Sequence, residues 1–137
     1  MGIDPGATGG VVIRTADDAF VLNMSKKTEA DIYEWMVDHP RPAMCYLEKV
    51  HSMPGQGVTS MFTFGQNYGF LRGLLIARGI PFEEVSPAKW QGYLGCKTKG
   101  DKNITKAKAQ QLFPDIKVTH AIADALLIAE YGRRVHV

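Results

Sequence analysis

With 137 residues and 45% hydrophobic content, the chain has material for one compact domain, residues 1–137, that buries roughly two thirds of its unfolded surface. No apolar run approaches the ~18 residues of a membrane span; a cytoplasmic protein without a secretory leader, with Cys45 and Cys96 as free thiols, is expected. The net charge of +2 conceals an asymmetry, because residues 97–108 hold five lysines against one aspartate, and the +4 they carry leaves −2 for the rest.

In chain order, three strands come first. Gly2 to Asp4 begins one, Val11 to Ile13 form the second, and Phe20, Leu22 and Met24 share a face of the third by period-two spacing. Gly6, Gly9 and Gly10 mark the turn between the first two. A helix opens at Thr28, where Thr28 and Asp31 have capping-box spacing and Ile32, Trp35 and Met36 give the buried face; His39-Pro40 ends it. A strand is expected over residues 43–50, a polar Gly-rich loop over 52–58, and a long helix over 59–78, stopped by Gly79 and Pro81. Residues 82–85 form another strand, and Ser86-Pro87 opens a short helix with Pro in its first turn. The lysine-rich stretch runs into a helix ending at Phe113-Pro114, and a last helix covers 121–133. Three antiparallel strands followed by parallel strands reached through helices make a layered α/β protein with a mixed sheet.

Three acids interrupt apolar elements. Asp4 lies in the first strand before a Pro-Gly turn, Glu48 ends Tyr46-Leu47-Glu48, and Asp124 sits inside Ala123-Asp124-Ala125-Leu126. Charged residues in such places are rarely buried unless paired or bound to metal. If the first and fourth strands are neighbours, Asp4 and Glu48 meet at one edge and a crossing helix adds Asp124. Three gathered carboxylates need a cation, and hard oxygen donors favour Mg²⁺ or Mn²⁺. Two such ions about 4 Å apart suit phosphodiester hydrolysis. The alternative for each acid is a solvated or capping carboxylate. His120 shares a helical face with Asp124 and is either a further ligand or proton carrier, or a solvent-facing residue. Lys97, Lys99, Lys102, Lys106 and Lys108 form either a solvated segment or a phosphate-binding arm.

On the long helix, Phe64, Tyr68, Leu71 and Leu75 form one apolar stripe, and Gly65, Gly69 and Gly73 form a second at four-residue spacing. Either the glycines pack on the chain's own sheet and the apolar stripe faces a second copy, or the reverse. Both arrangements lead to a homodimer through this helix, with Phe64, Tyr68, Leu71 and Leu75 as the expected interface.

Gly2-Ile3-Asp4-Pro5-Gly6, Leu47-Glu48-Lys49-Val50 and Ala123-Asp124-Ala125-Leu126 together resemble RuvC Holliday junction resolvases. Residues 57–65 and the segment Val85-Ser86-Pro87-Ala88-Lys89-Trp90-Gln91 resemble the phage and prophage branch of that family. The resemblance implies an RNase H-like fold, a homodimer in a bacterial or phage-infected cell, divalent metal, and paired nicks in a four-way DNA junction. It assigns Asp4, Glu48 and Asp124 to the metal, with His120 as the one candidate for the fourth ligand, since Ala121 and Ile122 cannot serve. It also places DNA near Lys49 and His51, where His51 occupies the position of the family's aromatic wedge. Two other readings stand beside it. The Asp4-Pro5-Gly6-Ala7-Thr8-Gly9-Gly10 turn resembles the phosphate loop of actin-like and sugar-kinase phosphotransferases, and a DNA-binding module could retain the fold without catalysis.

Overall fold

Alternation along the opening strands sorts their side chains onto two faces of one sheet. The computed structural model describes residues 1–50 and 55–136. It places β1 at Gly2–Asp4, β2 at Gly10–Arg14, β3 at Ala19–Asn23, β4 at Cys45–Glu48 and β5 at Phe82–Val85. The spatial order is β3-β2-β1-β4-β5, antiparallel across β3, β2 and β1 and parallel across β1, β4 and β5. The first and fourth strands are therefore neighbours. The strand expected over 43–50 is shorter at both ends, although the Lys49 N–H still donates to the Val85 carbonyl at 2.7 Å.

Among the described residues, five helices cover the sheet: α1 (Glu29–Asp38), α2 (Val58–Ala77), α3 (Pro87–Leu94), α4 (Lys102–Leu112) and α5 (His120–Val135). Ile3, Val11, Ile13 and Leu47 pack against Ile32 and Met36 of α1 and Leu71, Leu74 and Leu75 of α2. Val12 and Tyr46 face the other way, onto Trp90 and Leu94 of α3, Ala109 of α4, and α5 from Ala125 to Ala129. Cys45 and Cys96 are free and buried in these two separate cores, as expected of thiols that do not pair. No described helix is long and apolar enough to cross a membrane.

Local chemistry explains the element ends. Thr28 caps α1: its hydroxyl accepts from Asp31 N–H at 3.0 Å while the Asp31 carboxylate accepts from Thr28 N–H at 2.9 Å. Such a cap contributes ~1 kcal/mol. Ser86 caps α3 in the same way through Lys89 N–H, with Pro87 in the first turn.

The long helix requires a correction. Leu71 and Leu75 are fully buried within the chain's own core, and Tyr68 packs against that core, so this stripe is not free to meet a second copy. Phe64 lies on the same side, its ring 3.2 Å from where a Cβ on Gly6 would stand. The glycine stripe is the one that faces away, since a Cβ added to Gly65, Gly69 or Gly73 would meet nothing within 4 Å. An apolar stripe next to a hydrophobic sheet buries more area than three glycines can, and that decides which side of the helix turns inward.

α5 is held tightly to β1 and β2. A Cβ on Gly2 would collide with the backbone of Ala129, and one on Gly10 would stand 3.0 Å from the Ala121 carbonyl oxygen. Arg14 of β2 donates to Glu130 of α5 at 2.7 Å, and Arg133 chelates the same carboxylate. Glu130 is buried while its arginine partners reach solvent, and the Arg14 contact ties α5 to β2, on the helix that carries Asp124.

Candidate active site

Asp4 ends β1 and Glu48 ends β4, two parallel neighbours in which Ile3 is opposite Leu47. The register therefore sets both carboxylates side by side at the carboxyl edge of the sheet. Asp124, one turn into α5, reaches the same edge. One carboxylate oxygen from each of the three lies within 4.8 Å of the others, and all three side chains are half-buried. This is the convergence expected from the sequence.

The electrostatics are those of three desolvated carboxyls crowded together. Burial raises the Asp4 carboxyl to about 8, and the charges of Glu48 and Asp124 add to the shift. Burial likewise raises Glu48 to about 7, with Asp124 adding to it and a hydrogen bond from Trp90 opposing it. Asp124 is raised by burial against the opposing pull of Thr105, Lys102 and His120. The Asp4 and Glu48 carboxyls hydrogen-bond each other, which raises Asp4 further and opposes the rise of Glu48. A divalent ion would remove both the desolvation and the repulsion, and an all-carboxylate oxygen set fits Mg²⁺ or Mn²⁺.

Two residues that the sequence does not single out for the site act on these acids. Trp90, fully buried in α3, donates its indole N–H to Glu48 Oε2 at 2.8 Å. Thr105, buried in α4, donates its hydroxyl to the Lys102 carbonyl at 3.1 Å and lies close enough to Asp124 to oppose the rise of its carboxyl. A buried Trp needs an acceptor for its N–H, and that requirement is the one signal the sequence carried.

Asp4, Asp124 and Thr105 open onto a cleft of about 370 Å³ that Thr8, Asn23, Ser25, Lys102 and His120 also line. His120 is the first residue of α5 and is exposed; it borders the cleft but is not part of the three-acid group. Of the five clustered lysines, Lys102 reaches the cleft, Lys97 and Lys99 are exposed on the connection between α3 and α4, and Lys106 and Lys108 are half-buried on α4. Lys108 acts on the Cys96 thiol. Lys49 is exposed just beyond Glu48, and His51 lies outside the described residues.

No protein-family model matches the sequence, and a search of curated proteins returns no significant match. Solved structures do match. The mixed five-stranded sheet flanked by helices is an RNase H-like fold of the RuvC type. A structure described as T. thermophilus RuvC in complex with Holliday junction substrate superposes with a TM-score of 0.68 at 18% identity, over 97% of this chain and 93% of that one. A second, described as Thermus thermophilus RuvC, gives 0.65 at 18% identity, over 98% and 95%.

Proposed function

We propose that this chain is a single-domain, metal-dependent endonuclease that cuts branched DNA, and in particular the four-way Holliday junction. The observation that carries the reading is the meeting of Asp4, Glu48 and Asp124 at the carboxyl edge of a RuvC-type sheet. The Thermus thermophilus protein of the same fold has a Holliday junction as its substrate, which supports the choice of DNA.

Asp4, Glu48 and Asp124, with His120 as a fourth ligand, would hold two Mg²⁺ ions, or Mn²⁺ in their place. When bound, the ions supply an activated water and neutralise charge on the leaving oxygen. The chain's own groups do the rest. Trp90 holds one oxygen of Glu48, which turns the other towards Asp4. Thr105 favours the ionised form of Asp124. Lys102 brings an ammonium to the cleft, where it would attract the anionic backbone, and Thr8, Asn23 and Ser25 add uncharged hydrogen-bonding groups to the same lining. Lys49, Lys97, Lys99, Lys106 and Lys108 would extend the phosphate-binding surface, and His51 would stack on bases at the crossover.

A four-way junction presents two symmetric strands, so paired nicks call for two copies of the chain. The outward face of α2 is the surface available for that pairing. Phe62 and Ile76 are 68% and 65% exposed there, on either side of Gly65, Gly69 and Gly73.

The deciding experiment is incubation with Mg²⁺ and four-way, forked or linear DNA, with ATP hydrolysis followed in parallel. Symmetric nicks in the four-way substrate, abolished by EDTA, are expected. ATP hydrolysis without nicking would favour the phosphotransferase, and binding without either reaction would favour a non-catalytic module. Asp124→Asn should lower the cleavage rate on the order of a thousandfold while junction binding in EDTA persists.

A further inference from the structure

A second cleft, of about 250 Å³, lies between the β1–β2 turn, the start of α1 and the middle of α2. Its polar wall is Lys26, Lys27, Gln66 and Asn67, with Glu29 as the opposing acid. It adjoins the acidic cleft through shared turns. Ala7 lines this cleft and Thr8 the acidic one; Met24 lines this cleft, while Asn23 and Ser25 line the acidic one. A strand that passes from one cleft to the other would cross the chain at Ala7 and Thr8.

The donors are those a phosphate needs. Among the described residues neither lysine is in a salt bridge. Asn67 accepts from the Gly6 N–H through Oδ1 at 2.7 Å, which pins the turn to α2 and leaves its NH₂ as the donor end. Lys26 adopts a left-handed backbone, with φ of 62°. Glycine would sit there without strain, and a lysine costs about 1 kcal/mol more. What the lysine adds at that position is its ammonium.

We propose that the cleft lined by Lys26, Lys27, Gln66 and Asn67 binds a backbone phosphate of the cut strand, next to the phosphate held at the acidic site. The inference rests on the nuclease reading. Lys102 lines the acidic cleft and this lysine pair lines its neighbour, so a strand running through both would meet ammonium groups in each.

The test measures binding of a labelled four-way junction in EDTA between about 50 and 200 mM salt. The double variant Lys26→Gly/Lys27→Ala removes both charges and relieves the strained backbone, so its melting temperature should be unchanged or higher. Its affinity should fall on the order of tenfold, and the slope of log affinity against log salt should flatten by about 1 to 2. Glu29→Gln should tighten binding. A neutral methylphosphonate beside the cut site should weaken the wild type and leave the double variant unaffected. If the wild type binds junctions and the double variant keeps its affinity and slope, the phosphate site is overturned while the nuclease reading stands. If the wild type binds no DNA, both fall.

Discussion

Asp4 pays the largest electrostatic penalty of the three acids, and that penalty has a measurable sign. Its carboxyl is raised to about 8 and that of Glu48 to about 7, from ordinary values near 4. Between those limits the folded chain keeps protons that the unfolded chain has already released. The stability associated with these groups is therefore fully present below about pH 4 and is lost as pH rises through 7 to 8. In EDTA, the melting temperature of the wild type should fall from pH 5 to pH 8. Asp4→Asn should flatten that fall and melt higher than the wild type at pH 8 by on the order of 5 °C. Mg²⁺ should stabilise the wild type at pH 8 and the variant much less. A variant that melts lower than the wild type at pH 8 would contradict the strained-acid account. Trp90 gives a second test. Trp90→Phe keeps a ring in the core and removes the donor to Glu48, so Mn²⁺ affinity, read by titration in the absence of DNA, should weaken about tenfold. Unchanged affinity would reduce Trp90 to packing. The acids were legible in the sequence because a charge in an apolar element is conspicuous. Trp90 and Thr105 were not, because a buried ring or hydroxyl at helical spacing reads as core until the tertiary fold supplies its partner.

At the scale of elements, the arm from the end of α3 through α4 is where charge and structure coincide. Lys97 and Lys99 lie on an exposed connection, and Lys102 opens the helix and lines the acidic cleft. Changing these three to Ala should weaken binding to four-way and linear DNA alike and flatten the salt slope by about 3, since each phosphate contact contributes about 0.9. An unchanged slope would mean that these lysines do not touch the backbone. Lys106 and Lys108 are half-buried, and their removal should have a smaller effect on the slope. Strand and helix order followed from the sequence because period-two and helical patterns alternate cleanly from Gly2 to Leu94. Strand neighbours did not, because nothing local states that β4 pairs with β1. The stripes of α2 were both visible, yet their assignment depended on which of them the sheet would cover. The apolar stripe beat the glycines by area, a comparison that needs the sheet face in place.

For the whole molecule, the outward side of α2 is the surface proposed to decide whether one chain acts or two. Phe62 and Ile76 stand open to solvent at opposite ends of a glycine track, in a helix whose inner side is already committed to the core through Leu71, Leu74 and Leu75. Glycine costs up to ~1 kcal/mol per interior helical position relative to Ala, and three in register on an open face contribute nothing to the monomer's packing. They do permit another backbone to approach closely. Two copies related by a two-fold axis would cross α2 on α2, with Phe62 and Ile76 of each covering the glycines of the other. The same axis would set two acidic edges on the two symmetric strands of a junction. Sedimentation at micromolar concentration should therefore show a dimer. Gly69→Asp adds a charged side chain where the monomer has open space, so it should keep the fold and release monomers. Those monomers should bind junctions more weakly and lose the pairing of nicks, while each keeps its metal affinity. Leu71→Asp differs in kind: it places a charge in the core and should unfold the chain rather than dissociate it. If Gly69→Asp remains a dimer, the pair uses another surface. If the wild type is a monomer that still makes paired, symmetric cuts, the two-copy mechanism is wrong.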